Sequence, residues 1–79
     1  MTLWFKNSEG VMRQIADCTT WQEVCKCIDL FIAQCNENRP LERQFKSYYK
    51  RIWKEDNMTV VDVGSWSEFF YWEGEITDV

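Results

Sequence analysis

Residues 47–64 read SYYKRIWKEDNMTVVDVG, and the fold of this 79-residue chain turns on how the first half of that stretch is read. Leu41, Phe45, Tyr48 and Ile52 have helical spacing, which would make 41–54 a second helix. Against that, 47–53 is dense in β-forming residues, and Glu55-Asp56-Asn57 is turn material leading into a second such run at 59–63. The hairpin reading is preferred because its parts agree. With Asp56-Asn57 as a two-residue turn, Glu55 faces Met58, Trp53 faces Val60, Arg51 faces Asp62 and Tyr49 faces Gly64. Opposite charges then meet and an aromatic lies over a glycine, both cross-strand stabilisers. A one-residue slip loses both pairings and flips the faces. The alternate rows, Lys54/Thr59, Ile52/Val61, Lys50/Val63 and Tyr48/Ser65, form the other face. The expectation is that Ile52, Val61 and Val63 pack inward while Arg51, Trp53 and Asp62 look outward, with a short helical turn after Pro40.

Working outward, the clearest single element is a helix at 20–36. Thr20-Trp21-Gln22-Glu23 fits a capping box, with Thr20 as N-cap and Glu23 reaching back. Trp21, Val24, Cys25, Ile28, Phe31, Ile32 and Cys35 then follow the i, i+3, i+4, i+7 rhythm. Pro40 ends it, because a residue preceding proline is pushed out of the helical region. Ahead of the helix, 2–6 and 11–17 read as two strands around the turn residues Asn7-Ser8-Glu9-Gly10. Behind the central hairpin, Trp66 and residues 69–72 place five aromatics within seven positions. On a strand Phe69 and Tyr71 point one way, Phe70 and Trp72 the other. A two-layer domain buries only one of those faces, so some rings are expected at the surface, where aromatic patches tend to be contact sites.

The expected architecture is therefore one small α+β domain over residues 1–79, an antiparallel sheet packed on one main helix in the order β-β-α-β-β-β. A chain this short buries only about 60 % of its unfolded surface. Thirteen aromatics, five of them tryptophan, are how it gains a core. No N-terminal run resembles a signal peptide and none approaches the roughly 20 residues of a membrane span. A cytoplasmic protein with reduced cysteines and no membrane partner is expected.

Charge is uneven. Residues 39–54 carry six bases and one acid; residues 55–79 carry seven acids and no base. The simplest reading is neutralisation across a sheet. An acidic mimic of nucleic acid that blocks a host defence nuclease is the sharper alternative. A single-stranded nucleic-acid binder is another, since Tyr49, Arg51 and Trp53 alternate on one face as a stacking platform would.

Little catalytic chemistry is on offer. With no histidine in the chain, the usual general base is missing. Glu55/Asp56 and Glu73/Glu75 lie in turn-like or terminal segments with nothing to raise a pKa. Cys25-Lys26-Cys27 has too short a spacing for a zinc pair, and on a helix the two side chains point roughly 200° apart. Cys18, Cys25 and Cys35 are read as small core residues, and Cys27 as a marginal position, the one candidate reactive thiol. No metal, cofactor or catalytic residue is assigned.

Tyr48-Tyr49-Lys50-Arg51-Ile52-Trp53, a polar turn, then Asp62-Val63-Gly64-Ser65 and Phe69-Phe70 resembles a group of small uncharacterised proteins of phages and conjugative elements of Gram-positive bacteria. The resemblance spans about residues 20–72, supports the hairpin, and implies no activity. Taken together, the sequence points to a non-enzymatic accessory protein that binds a macromolecule, a protein before a nucleic acid. Its candidate binding residues are Tyr49, Arg51, Trp53, Asp62, Trp66, Phe69 and Tyr71. Uncovered sheet edges allow a monomer or an edge-paired homodimer.

Overall fold

The computed structural model describes residues 1–45, 50–64 and 67–76. Strands β1 (Thr2–Lys6) and β2 (Met12–Asp17) form the N-terminal hairpin, followed by helix α1 (Trp21–Glu37) and a 3-10 turn at Leu41–Arg43. Strands β3 (Arg51–Glu55), β4 (Met58–Asp62) and β5 (Phe69–Trp72) complete the chain. All pairings are antiparallel, and the sheet runs β2-β1-β5-β4-β3. The α+β architecture and its element order are those expected from the sequence.

The central hairpin forms in the register that the charge pairing requires. Arg51 pairs with Asp62, Ile52 with Val61, Trp53 with Val60, Lys54 with Thr59 and Glu55 with Met58. Asp56 and Asn57 both take positive φ, 50° and 65°. That is the two-residue geometry whose twist matches that of the flanking strands, and Asp and Asn tolerate it better than most residues. The short turn after Pro40 is present, so 41–54 is not a second helix. The pairs proposed for Tyr48, Tyr49 and Ser65 lie outside the described residues.

Helix α1 opens as its sequence dictates. The Thr20 hydroxyl accepts from the Glu23 backbone N–H at 3.2 Å, and Glu23 Oε1 accepts from the Thr20 N–H at 3.1 Å. Its other end is wired to the chain that follows. The Asn36 side-chain amide donates to the Phe45 carbonyl and accepts from the Phe45 N–H, at 3.1 and 2.9 Å. It therefore substitutes for a neighbouring peptide group. Gln44 Nε2 donates to the Asn36 and Arg39 carbonyls, at 3.0 and 3.1 Å, tying the end of the helix and the residue after its cap to the following turn.

The core lies between α1 and one face of the sheet. Val24, Ile28 and Ile32 meet Leu3, Phe5, Val61, Val63, Phe70 and Trp72, all buried. The Trp72 indole N–H donates to the Cys18 carbonyl at 3.1 Å, so its one polar atom is satisfied inside. A bulge between Leu3 and Trp4 inserts Ile15 opposite them, and both Ile15 and Ala16 pack on the core.

Helix α1 touches the β3 margin through the Asp29–Lys50 ion pair at 3.3 Å but does not cover the strand, and three expectations change. Val61 and Val63 pack inward as expected, but Ile52 beside them stays 42 % exposed on the edge strand. Cys25, expected in the core, is only half-buried and lies outside the core cluster, toward Lys50. Cys27, expected at the margin, packs against the core instead. Edge strand β3 carries Arg51, Lys54 and Glu55, charges of the kind that discourage uncontrolled edge pairing.

Candidate functional site

The helix-free face of the sheet is where the expected site residues gather. Along β3, β4, β5 and β1, Trp53 pairs with Val60, Val60 with Tyr71, and Tyr71 with Trp4. Side chains alternate along a strand, so this row shares one face with Arg51, Asp62, Phe69 and Lys6. The ring centroids of Trp53 and Phe69 lie 5.9 Å apart with the planes 80° from one another, an edge-to-face contact. Lys6 Nζ sits 5.7 Å from the Tyr71 centroid and the Arg51 guanidinium 5.1 Å from that of Trp53.

Trp4, Trp53, Phe69 and Tyr71 are each only half-buried, yet Val60 among them is fully buried. The four rings form a thin second apolar layer on the side opposite the helix. They shield the sheet while keeping part of each ring in contact with solvent.

Asp62 anchors one end of this layer. It is fully buried, takes a hydrogen bond from Arg51 Nη2 at 3.3 Å, and accepts the Gly64 N–H at 3.1 Å. Gly64 has φ of 94°, a left-handed conformation that favours glycine. Asp62 thus holds both Arg51 and the turn leaving β4, which makes it a positioning residue rather than an exposed ligand.

The face is electrically polarised. Lys6 and Arg51, the latter paired with Asp62, lie along one flank of the aromatic row; Glu55, Glu73 and Asp17, the last paired with the N-terminal ammonium at 2.6 Å, lie along the other by strand alternation. The Trp53 indole N–H donates to Glu55 Oε2 at 3.3 Å, and Glu73 Oε1 accepts the Thr2 N–H at 3.2 Å.

Five of the expected binding residues are therefore brought together: Arg51, Trp53, Asp62, Phe69 and Tyr71. Tyr49 and Trp66 lie outside the described residues. Trp4 and Lys6 belong to the same surface and were not anticipated. The alternation of β1 signals that they oppose Leu3 and Phe5, but only the pairing of β1 with β5 puts them beside Tyr71 and Phe69.

A concavity of about 630 Å³ lies beside the C-terminal end of α1, lined by Arg39, Arg43, Gln44, Ser67 and Glu68 among others. Its strongest charges answer each other: Arg39 makes two bonds to the Glu68 carboxylate, at 3.0 and 2.8 Å, and stacks 4.7 Å from the Phe45 centroid. The pair reads as a clamp between the segment after α1 and Glu68.

Among the described residues, no group of three or more cysteines and carboxylates is arranged to hold a metal. Burial pushes the Cys25 and Cys35 thiols up, away from nucleophilic activation. Among the described residues, no helix is long and apolar enough to cross a membrane. No family model, curated protein or solved structure matches the chain.

Proposed function

We propose that the protein is a non-catalytic binding module whose helix-free sheet face docks a polypeptide. The observation that carries this reading is the half-exposed layer of Trp4, Trp53, Phe69 and Tyr71, with cations along one flank and carboxylates along the other. Aromatic side chains with an apolar body and partial exposure are what interface centres are enriched in. The polarity of the face matches a segment with apolar side chains at its middle, a basic residue toward Glu55 and Glu73, and an acidic one toward Lys6 and Arg51. The resemblance of the 48–70 motif to small phage and conjugative-element proteins supports an accessory role in a mobile element. Four free cysteines are consistent with a reducing compartment, the cytoplasm.

The charge layout counts against the nucleic-acid readings. A phosphate backbone calls for a continuous track of bases. Here Lys6 and Arg51 stand on one flank, Arg51 already paired with Asp62, and Glu55, Glu73 and Asp17 stand on the other, Asp17 beside the N-terminal ammonium. The acids expected to form a mimic are interleaved with bases: Asp62 with Arg51, Glu75 with Lys54 and Glu68 with Arg39.

The test is affinity capture with the intact chain, followed by reconstitution with the purified partner and calorimetry. Trp53→Ala and Trp4→Ala are expected to weaken binding at least tenfold while the fold persists. A partner held equally well by both variants would remove this surface. Salt-sensitive binding to a mixed-sequence oligonucleotide, lost on Trp53→Ala, would replace the protein reading with the single-strand one.

A further inference from the structure

Cys18 and Cys27 hold their sulfur atoms 3.6 Å apart, the Cys18 thiol donating to Cys27 Sγ. Their backbones are fixed independently. The Cys18 N–H donates to the Met1 carbonyl at 2.8 Å, and the Cys18 carbonyl accepts the Trp72 indole at 3.1 Å. Cys27 lies in the second turn of α1, whose first turn is locked by the Thr20–Glu23 box. Cys18 is buried and Cys27 half-buried, so solvent reaches one partner and not the other. The remaining two thiols sit elsewhere along the helix, Cys25 toward Lys50 and Cys35 toward Arg39 and Arg13.

We propose that Cys18 and Cys27 are a redox-active dithiol, which a low-molecular-weight disulfide oxidises to an intramolecular bridge bracing α1 against the end of β2. The pairing is local, nine residues apart in sequence, and the sulfurs must close from 3.6 Å to about 2.0 Å. Burial, aided by the hydrogen bond to Cys27, pushes the Cys18 thiol up to about 11. Cys18 therefore keeps its proton and its donor role, and Cys27 is the sulfur that reacts first.

The chemistry balances as thiol–disulfide exchange. The Cys27 thiolate attacks one sulfur of the small disulfide, breaking its S–S bond and releasing one small thiolate, which takes up a proton. Cys18 then attacks Cys27 Sγ, its proton passing to the second small thiolate as that group is expelled as a thiol. Two protein thiols and one small disulfide become one protein disulfide and two small thiols. This local bridge is independent of the docking face, which lies on the other side of the sheet.

The experiment equilibrates the full chain in glutathione buffers, quenches with acid, alkylates the free thiols, and reads intact mass and linked peptides. The expected product, before alkylation, is about 2 Da lighter than the reduced chain and carries a Cys18–Cys27 link. Its Tm is expected to rise by roughly 5–10 °C. The Cys25→Ser/Cys35→Ser double variant should form the same bridge, and Cys27→Ser should form none. Four alkylated cysteines in buffers that fully oxidise a reference dithiol would overturn the proposal. So would a bridge mapping to another pair, or one that forms only in urea.

Discussion

The two faces of one strand, β5, are both aromatic and behave differently. Phe70 and Trp72 point toward α1 and are fully buried, whereas Phe69 and Tyr71 point the other way and are half-buried. The residue types are nearly the same; what differs is what lies opposite. On one side a helix presents Val24, Ile28 and Ile32, with Phe31 edge-on to Phe70 at 5.6 Å. On the other, among the described residues, the rings meet the Trp53 ring, Val60 and the Lys6 ammonium rather than a helix. Aromatic content in a short sequence therefore separates into a part that stabilises the fold and a part left at the surface, and the period-2 alternation of the strand does the sorting.

The contrast is broken most severely from the buried side. Phe70→Ala removes a ring packed against Phe5 and Phe31, with centroids 5.3 and 5.6 Å away. Such a deletion costs about 3–5 kcal/mol in a core that cannot collapse. For so small a domain that approaches the whole stability. Urea denaturation should show the loss, and a change under about 1 kcal/mol would mean the helix side is not the core.

A smaller effect comes from overfilling the same layer. A Cβ at Gly74 would clash with the Trp72 indole at Cζ2, Cε2 and Cη2, and the Gly74 carbonyl accepts the Thr59 hydroxyl at 3.0 Å. Ring and backbone must shift together, so Gly74→Ala should cost about 1–3 kcal/mol. A Tm equal to that of the parent would show that the C-terminal segment yields freely. On the open face, Tyr71→Ala should cost less, about 1 kcal/mol, because the ring is only half-buried and its loss leaves no closed cavity. The sharpening measurement compares stability with partner binding. Phe70→Ala should lose both together, whereas Tyr71→Ala should lose binding out of proportion to stability.

How much of this was legible follows from the range of each interaction. The 51–62 hairpin could be read because its cues are local: a turn that accepts positive φ, and a charge pair that fixes the register. The capping box was equally local. The sheet order was not, because β1 inserts between β2 and β5, which lie at opposite ends of the chain. That long-range pairing alone recruits Trp4 and Lys6 to the candidate surface. The exposure of Ile52 and the exchanged settings of Cys25 and Cys27 depend on where the helix axis crosses the sheet, which the periodicity of α1 does not specify. The Arg39–Glu68 clamp joins residues 29 apart in sequence, with no pattern linking them.

The weakest lever on the comparison is the box that sets where α1 begins, and with it which sheet face is covered. The Glu23 carboxylate accepts from the Thr19 hydroxyl at 2.6 Å and from the Thr19 and Thr20 N–H groups. Those bonds, the Thr19 hydroxyl first, hold its pKa below the ordinary value of 4.5. A carboxylate with a depressed folded-state pKa contributes stability that is fully present above the unfolded value and lost as pH falls through the folded one. Glu23→Gln keeps an acceptor oxygen but cannot titrate, so its Tm deficit should be small at neutral pH. The deficit should narrow further as pH drops below about 4, because the parent loses the ionic part of the box there and the variant has none to lose. Parallel Tm curves for the two proteins between about pH 7 and about pH 3 would show that the charge of Glu23 does not help to seat the helix. The difference between the sheet faces would then rest on apolar packing alone.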